Sequence, residues 1–108
     1  MNVPEKMRWK NWADALRQQM MTGLTPEVTK SLDDITSETA TTKAVSSLKS
    51  VRFWRACQVG DSPNDFLARA GFEIDFAPED DKTVTEVTLR LNPSWMSIMD
   101  RVIARKNA

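Results

Sequence analysis

The sequence predicts a small, helix-rich α+β fold with N-terminal helices, a C-terminal β-hairpin and a terminal amphipathic helix. Apolar residues recur at helical spacing near both ends of the chain. Phe72, Ile74 and Phe76 alternate with acidic residues, and Thr85, Val87, Leu89 and Leu91 alternate with more polar ones, which is typical of half-buried strands. A proline follows a good N-cap residue at three places, and this pair marks the start of a helix. The length of 108 residues fits one domain, 1–108.

Two helices are predicted in the N-terminal part. The first should run from about residue 4 to residue 22 and stop at Gly23. Its apolar stripe consists of Trp9, Trp12, Ala13, Leu16 and Met20. The second should begin at the Thr25-Pro26 pair and end near residue 37, because Val28, Leu32 and Ile35 recur at helical spacing.

The middle of the chain carries weaker signals. Residues 36–50 are rich in serine and threonine, which is typical of a flexible connection between an N-terminal helical part and a C-terminal α+β part, although Ala44, Val45, Leu48 and Val51 also allow a helix. Over 51–59, apolar residues alternate as in a strand, but Arg55 interrupts the apolar face. Leu48, Val51 and Trp54 follow helical spacing, which favours a helix. As a strand, 51–59 would extend the hairpin to a three-stranded sheet.

The C-terminal part is predicted to contain a short helix, the hairpin and a last helix. The short helix covers 63–70, begins after Ser62 and ends at Gly71. The two alternating segments form the hairpin strands, joined by a polar connection over 77–82. The last helix, 93–105, begins after Asn92, and basic residues near its C-terminus suit the helix dipole. Its apolar residues are Trp95, Ile98, Met99 and Val102.

The residue types argue against an enzyme. The chain has no histidine, no tyrosine and a single cysteine, Cys57, so it lacks an imidazole base, a catalytic triad and the usual zinc ligands. We therefore predict a non-enzymatic protein without cofactor or metal. An enzyme that uses the carboxylates of Asp75 and Glu86 is the least favoured alternative. Acid–base catalysis by paired carboxylates needs a desolvated cleft, and the predicted hairpin face is solvated. The acidic run 79–81 lacks the spacing of a calcium loop.

Two clusters, 6–12 and 52–55, mix basic and aromatic residues. Trp and Arg are enriched at the energetic centres of protein interfaces. We therefore predict that another protein, or a second copy of the chain, binds through a Trp/Arg-rich helical surface. The predicted partner-binding residues are Arg8, Trp9, Trp12, Phe53, Trp54 and Arg55. Trp9 and Trp12 also lie on the apolar stripe of the first helix, so burial in the core is the competing interpretation.

A nucleic-acid-binding module is the alternative function, because the same two clusters combine stacking aromatics with cations that suit phosphates. The net charge of +0 and the pI of about 6.2 weigh against it. Residues 1–60 hold 9 basic and 6 acidic side chains, whereas 61–108 hold 6 basic and 9 acidic ones. Halves of opposite charge suit self-association or pairing within the fold.

The expected location is the cytoplasm or a virion. One cysteine forms no internal disulfide, and residues 1–6 lack the apolar run of a signal peptide. No segment reaches the roughly 20 apolar residues of a membrane span. Asp14 and the Gln18-Gln19 pair weaken the first helix as a membrane-surface helix. We expect an accessory subunit, an inhibitor or a virion component, with no membrane partner.

Overall fold

The computed structural model describes residues 5–41, 45–50, 53–55, 66–76 and 84–107 and confirms the predicted α+β fold. Within these ranges the helices are α1 (Glu5–Gly23), α2 (Leu32–Thr39), α3 (Val45–Leu48), α4 (residues 53–55), α5 (Phe66–Ala70) and α6 (Pro93–Lys106). The strands are β1 (Glu27–Ser31), β2 (Phe72–Asp75) and β3 (Glu86–Leu91).

The three strands form one antiparallel sheet in the order β1-β3-β2. The predicted hairpin is β2 and β3, in which Ile74 lies opposite Leu89. The third strand is β1, whose Val28 pairs with Leu89 from the other side. Residues 53–55 are helical, in line with the favoured interpretation of 51–59, and the rest of that segment lies outside the described residues.

The predicted helix over 26–37 is wrong in its first half. Residues 27–31 form β1, and the helix starts only at Leu32. Ser31 has extended backbone angles, and its hydroxyl accepts the Asp34 N–H at 3.1 Å, so Ser31 is the N-cap in place of Thr25. Val28 fits the helical spacing, but pairing with β3 places it on the inner face of the sheet.

The other helix ends follow the predictions closely. α1 matches the predicted 4–22, although the left-handed residue that ends it is Leu24, with φ 53°, and Gly23 belongs to the helix. Asn92 caps α6 as predicted, because its side-chain oxygen accepts the Trp95 N–H at 3.0 Å. Residues 66–70 of the predicted helix 63–70 are helical, and Ser62 lies outside the described residues. The flexible connection over 36–50 stays a prediction.

The core lies between one face of the sheet and the helices that cover it. The predicted apolar stripe of α1 is buried along its whole length. Val87, Leu89 and Leu91 face the core from β3, while the alternate residues of the sheet face solvent. Further core residues are Leu32, Ile35, Leu48, Trp54, Phe66, Leu67, Ala70, Phe72, Ile74, Val84 and Met99.

Candidate functional site

The structure brings the predicted aromatic residues together, but mainly in the core. Trp9 is 2% exposed, Trp12 8% and Trp54 0%. The Trp9 ring centroid lies 5.9 Å from that of Trp12, 5.7 Å from that of Phe53 and 6.4 Å from that of Trp54. The Trp54 indole donates to the carbonyl of Leu48 at 2.6 Å. A partner docked on the folded surface therefore meets little of these three indoles.

The remaining three predicted residues keep accessible surface. Phe53 is half-buried against the core, and Arg55 is exposed. Arg8 is half-buried, donates to the carbonyl of Ala40 at 2.8 Å and lies 3.5 Å from the Glu5 carboxylate. Arg8 thus helps to hold α1 against the end of α2. Partner binding by this cluster stays a prediction.

Glu38 of α2 joins three elements through its carboxylate. One oxygen accepts the Trp12 indole N–H at 3.0 Å, and the other accepts the Lys30 ammonium at 2.9 Å. Burial raises the pKa of Glu38, but the hydrogen bonds from Lys30 and Trp12 and the charge of Lys30 outweigh it, so the pKa is lowered overall. Sequence reasoning missed this link because its partners are 8 and 26 residues away.

The outer face of the sheet is polar. Arg90 of β3 reaches Glu27 of β1 at 3.4 Å and also pairs with Asp75 of β2. The pKa of Arg90 is raised by the hydrogen bond to Asp75, by the negative charge of Asp75 and by the hydrogen bond to Glu27. Beside this group, the hydroxyls of Thr29 and Thr88 are 2.8 Å apart.

Asp75 and Glu86, the candidate acid–base residues, are both exposed on this outer face. Asp75 serves as an ion-pair partner of Arg90. Among the described residues, no three His, Cys, Asp or Glu side chains are grouped closely enough to hold a metal ion.

The N-terminal end of α6 is fixed to the body of the domain. The Asn92 N–H donates to the carbonyl of Gly71 at 2.8 Å, and the Trp95 ring packs so closely over Gly71 that a Cβ there would overlap it. The Arg17 guanidinium lies 4.5 Å from the Trp95 ring centroid and donates to the Ala70 carbonyl at 2.7 Å. α1, the α5–β2 turn and the start of α6 are therefore joined.

Further along α6, apolar side chains face outward. Met99 is the one fully buried residue of this helix, whereas Ile98 is 39% exposed and Val102 is half-buried. At 100° per residue, Ile98 and Val102 lie on one side of Met99, and exposed Arg101 and Arg105 border them. We call the surface formed by Trp95, Ile98, Arg101, Val102 and Arg105 the α6 flank. The sequence predicted the stripe, but not which part of it would stay uncovered.

Comparison of this chain with protein-family models, with curated proteins and with solved structures finds no match. Of the helices within the described ranges, none combines the length and the apolar character needed to cross a bilayer.

Proposed function

We propose that this protein is a non-enzymatic interaction protein whose α6 flank binds an apolar, acidic-rimmed segment of another protein. The observation that carries the proposal is the outward position of Ile98 and Val102 on a helix that buries only Met99 completely. Apolar surface beside positive charge is the composition that protein interfaces use at their centre and rim.

The anchoring of α6 supports this function energetically. Trp95 and Asn92 hold the start of the helix, so a partner meets a surface that is already ordered. Less conformational entropy is then lost on binding than with a disordered segment. Covering Ile98 and Val102 removes apolar area from water, which is favourable by about 25 cal/mol per Å².

The charges on the flank define the chemistry of the partner. Arg101 and Arg105 are exposed, one turn apart, and make no ion pair within the described residues. A partner that places Asp or Glu beside its apolar contact residues satisfies both guanidinium groups, whereas a basic partner is repelled. We therefore propose a partner segment with carboxylates along the edge of its apolar stripe.

Site-specific photo-crosslinking in the cells that produce the protein tests this function. A photoreactive amino acid at Ile98 should form an adduct with one protein, at an apolar position next to Asp or Glu. The same amino acid at exposed Gln18 of α1 is the control and should form none with that protein. No protein adduct at Ile98 would contradict the proposal, and an adduct with nucleic acid would favour the alternative function.

A matched pair of charge variants tests the rim. R101Q/R105Q should abolish the Ile98 adduct, because the partner carboxylates lose their counterions. K6Q/K10Q removes the same net charge from exposed positions of α1 and should leave the adduct unchanged. Equal losses in both variants would show that overall charge, and not the α6 flank, attracts the partner.

A further inference from the structure

We infer that β1 is a self-association edge: it pairs antiparallel with β1 of a second copy, so that two sheets join into one of six strands. This inference is independent of the α6 flank. It rests on the hydrogen-bond pattern of β1 and on the side chains that its own sequence would place opposite one another.

The ladder with β3 determines which backbone groups of β1 remain available. The Leu91 N–H donates to the Pro26 carbonyl at 3.0 Å, and the Leu32 N–H donates to the Thr85 carbonyl at 3.3 Å. In an antiparallel ladder the bonded residues alternate, so the backbone groups of Thr29 point away from β3. By the same alternation, the backbone groups of Glu27 and the N–H of Ser31 also point away from β3.

These outward groups have no partner in the described part of the chain. At the opposite edge of the sheet, Ile74 of β2 is already engaged in an interaction. An exposed row of strand N–H and C=O groups is a template for another strand. Within the described residues, the edge of β1 is such a template.

The sequence of β1 is compatible with itself across a two-fold axis at Thr29. Glu27 would lie opposite Ser31 of the second copy, and Val28 opposite its Lys30. Like charges directly opposite each other destabilise paired strands, and this register contains no such pair. The two Thr29 side chains would meet at the axis and continue the contact that each already makes with Thr88 at 2.8 Å.

The charge of Lys30 is compatible with a second copy of β1 at this edge. A charge that points toward the core usually protects an edge strand, because pairing buries it. Here the ammonium of Lys30 already contacts the Glu38 carboxylate at 2.9 Å, so its charge is compensated before a second strand arrives. In the self-paired register, Lys30 lies opposite Val28 of the second copy. A different strand with a cation at that position would be repelled by Lys30.

Proline at position 29 gives a selective test, because it removes an N–H that points away from β3 and leaves the β1–β3 ladder intact. By sedimentation, the wild-type chain should dimerise with rising concentration. Thr29→Pro removes two intermolecular bonds per dimer and should raise the dimer dissociation constant at least about tenfold. Thr29→Val keeps the N–H and should dimerise like the wild type, and circular dichroism should show native secondary structure in all three.

Amide hydrogen exchange of the wild-type chain gives a second measurement that needs no variant. The Thr29 and Ser31 amides should become protected as the protein concentration rises, while the Val28 amide is protected at every concentration. A chain that stays monomeric up to millimolar concentration overturns the inference. So does a dimer that persists in Thr29→Pro but disappears in Ile98→Ser, because that dimer uses the α6 flank.

Discussion

Replacing Gly71 by alanine should strongly destabilise the domain, because this one residue positions α6. Gly71 has φ +101°, a conformation that residues with a Cβ rarely adopt. Its carbonyl accepts the Asn92 N–H at 2.8 Å, and the Trp95 ring occupies the space where a Cβ would lie. The substitution therefore introduces backbone strain and also displaces an indole ring.

The two effects set the expected magnitude. Holding a residue with a side chain at an unfavourable positive φ costs about 1–3 kcal/mol. Displacing the packed ring of Trp95 costs a further amount of about 1–3 kcal/mol, as in other overpacked sites. Gly71→Ala should therefore lower the free energy of unfolding by about 2–6 kcal/mol, a large part of what a domain of this size has in total.

A double-mutant cycle separates the two effects. Urea unfolding followed by far-UV circular dichroism gives the unfolding free energy of wild type, Gly71→Ala, Trp95→Ala and the double variant. In the Trp95→Ala background the steric part disappears, so Gly71→Ala should cost only about 1–3 kcal/mol. An equal cost of Gly71→Ala in both backgrounds would refute the close packing of Trp95 on this turn.

Three further predictions concern stability. Met99→Ala should lower the free energy of unfolding by about 2–5 kcal/mol, whereas Ile98→Ser should change it by about 0.5 kcal/mol or less. Chemical denaturation of both variants checks this difference. Because the pKa of Glu38 lies below its usual 4.5, its stabilising effect is present above that value and is lost as the pH falls through the lowered pKa. Glu38→Gln should therefore flatten the loss of stability below about pH 4.5 in a pH series of unfolding measurements, and an unchanged slope would argue against the link. Trp54→Phe leaves the Leu48 carbonyl without its indole donor and should cost about 1–3 kcal/mol in the same assay, with an unchanged free energy contradicting the buried hydrogen bond.

The hairpin and the terminal helices could be predicted because their signals are local. Strict alternation predicts β2 and β3, and the Asn92-Pro93 pair predicts the start of α6. β1 could not be found in this way, because five residues with Val28 as their single apolar member show no clear period. It is a strand because β3, about 60 residues later, offers it an edge.

The candidate site was harder to predict, for a related reason. Tryptophan is common both in cores and at binding surfaces. The composition of 6–12 and 52–55 therefore does not decide whether their tryptophans are buried in the core or exposed for a partner. Burial of Trp9 depends on α4 and α5, since Phe53 and Phe66 lie 5.7 and 5.1 Å from its ring. Those contacts join residues more than 40 positions apart, beyond the reach of local spacing.

The topology of the sheet explains why part of the apolar stripe of α6 stays exposed, whereas the apolar stripe of α1 is buried. α1 packs against α2 and α5, and its whole apolar stripe is buried in the core. α6 follows directly from β3 through Asn92, and Trp95 is held over the turn at Gly71. This attachment buries Met99 and leaves Ile98 to one side. The exposed position of Ile98 on α6 is thus a consequence of where the last strand ends.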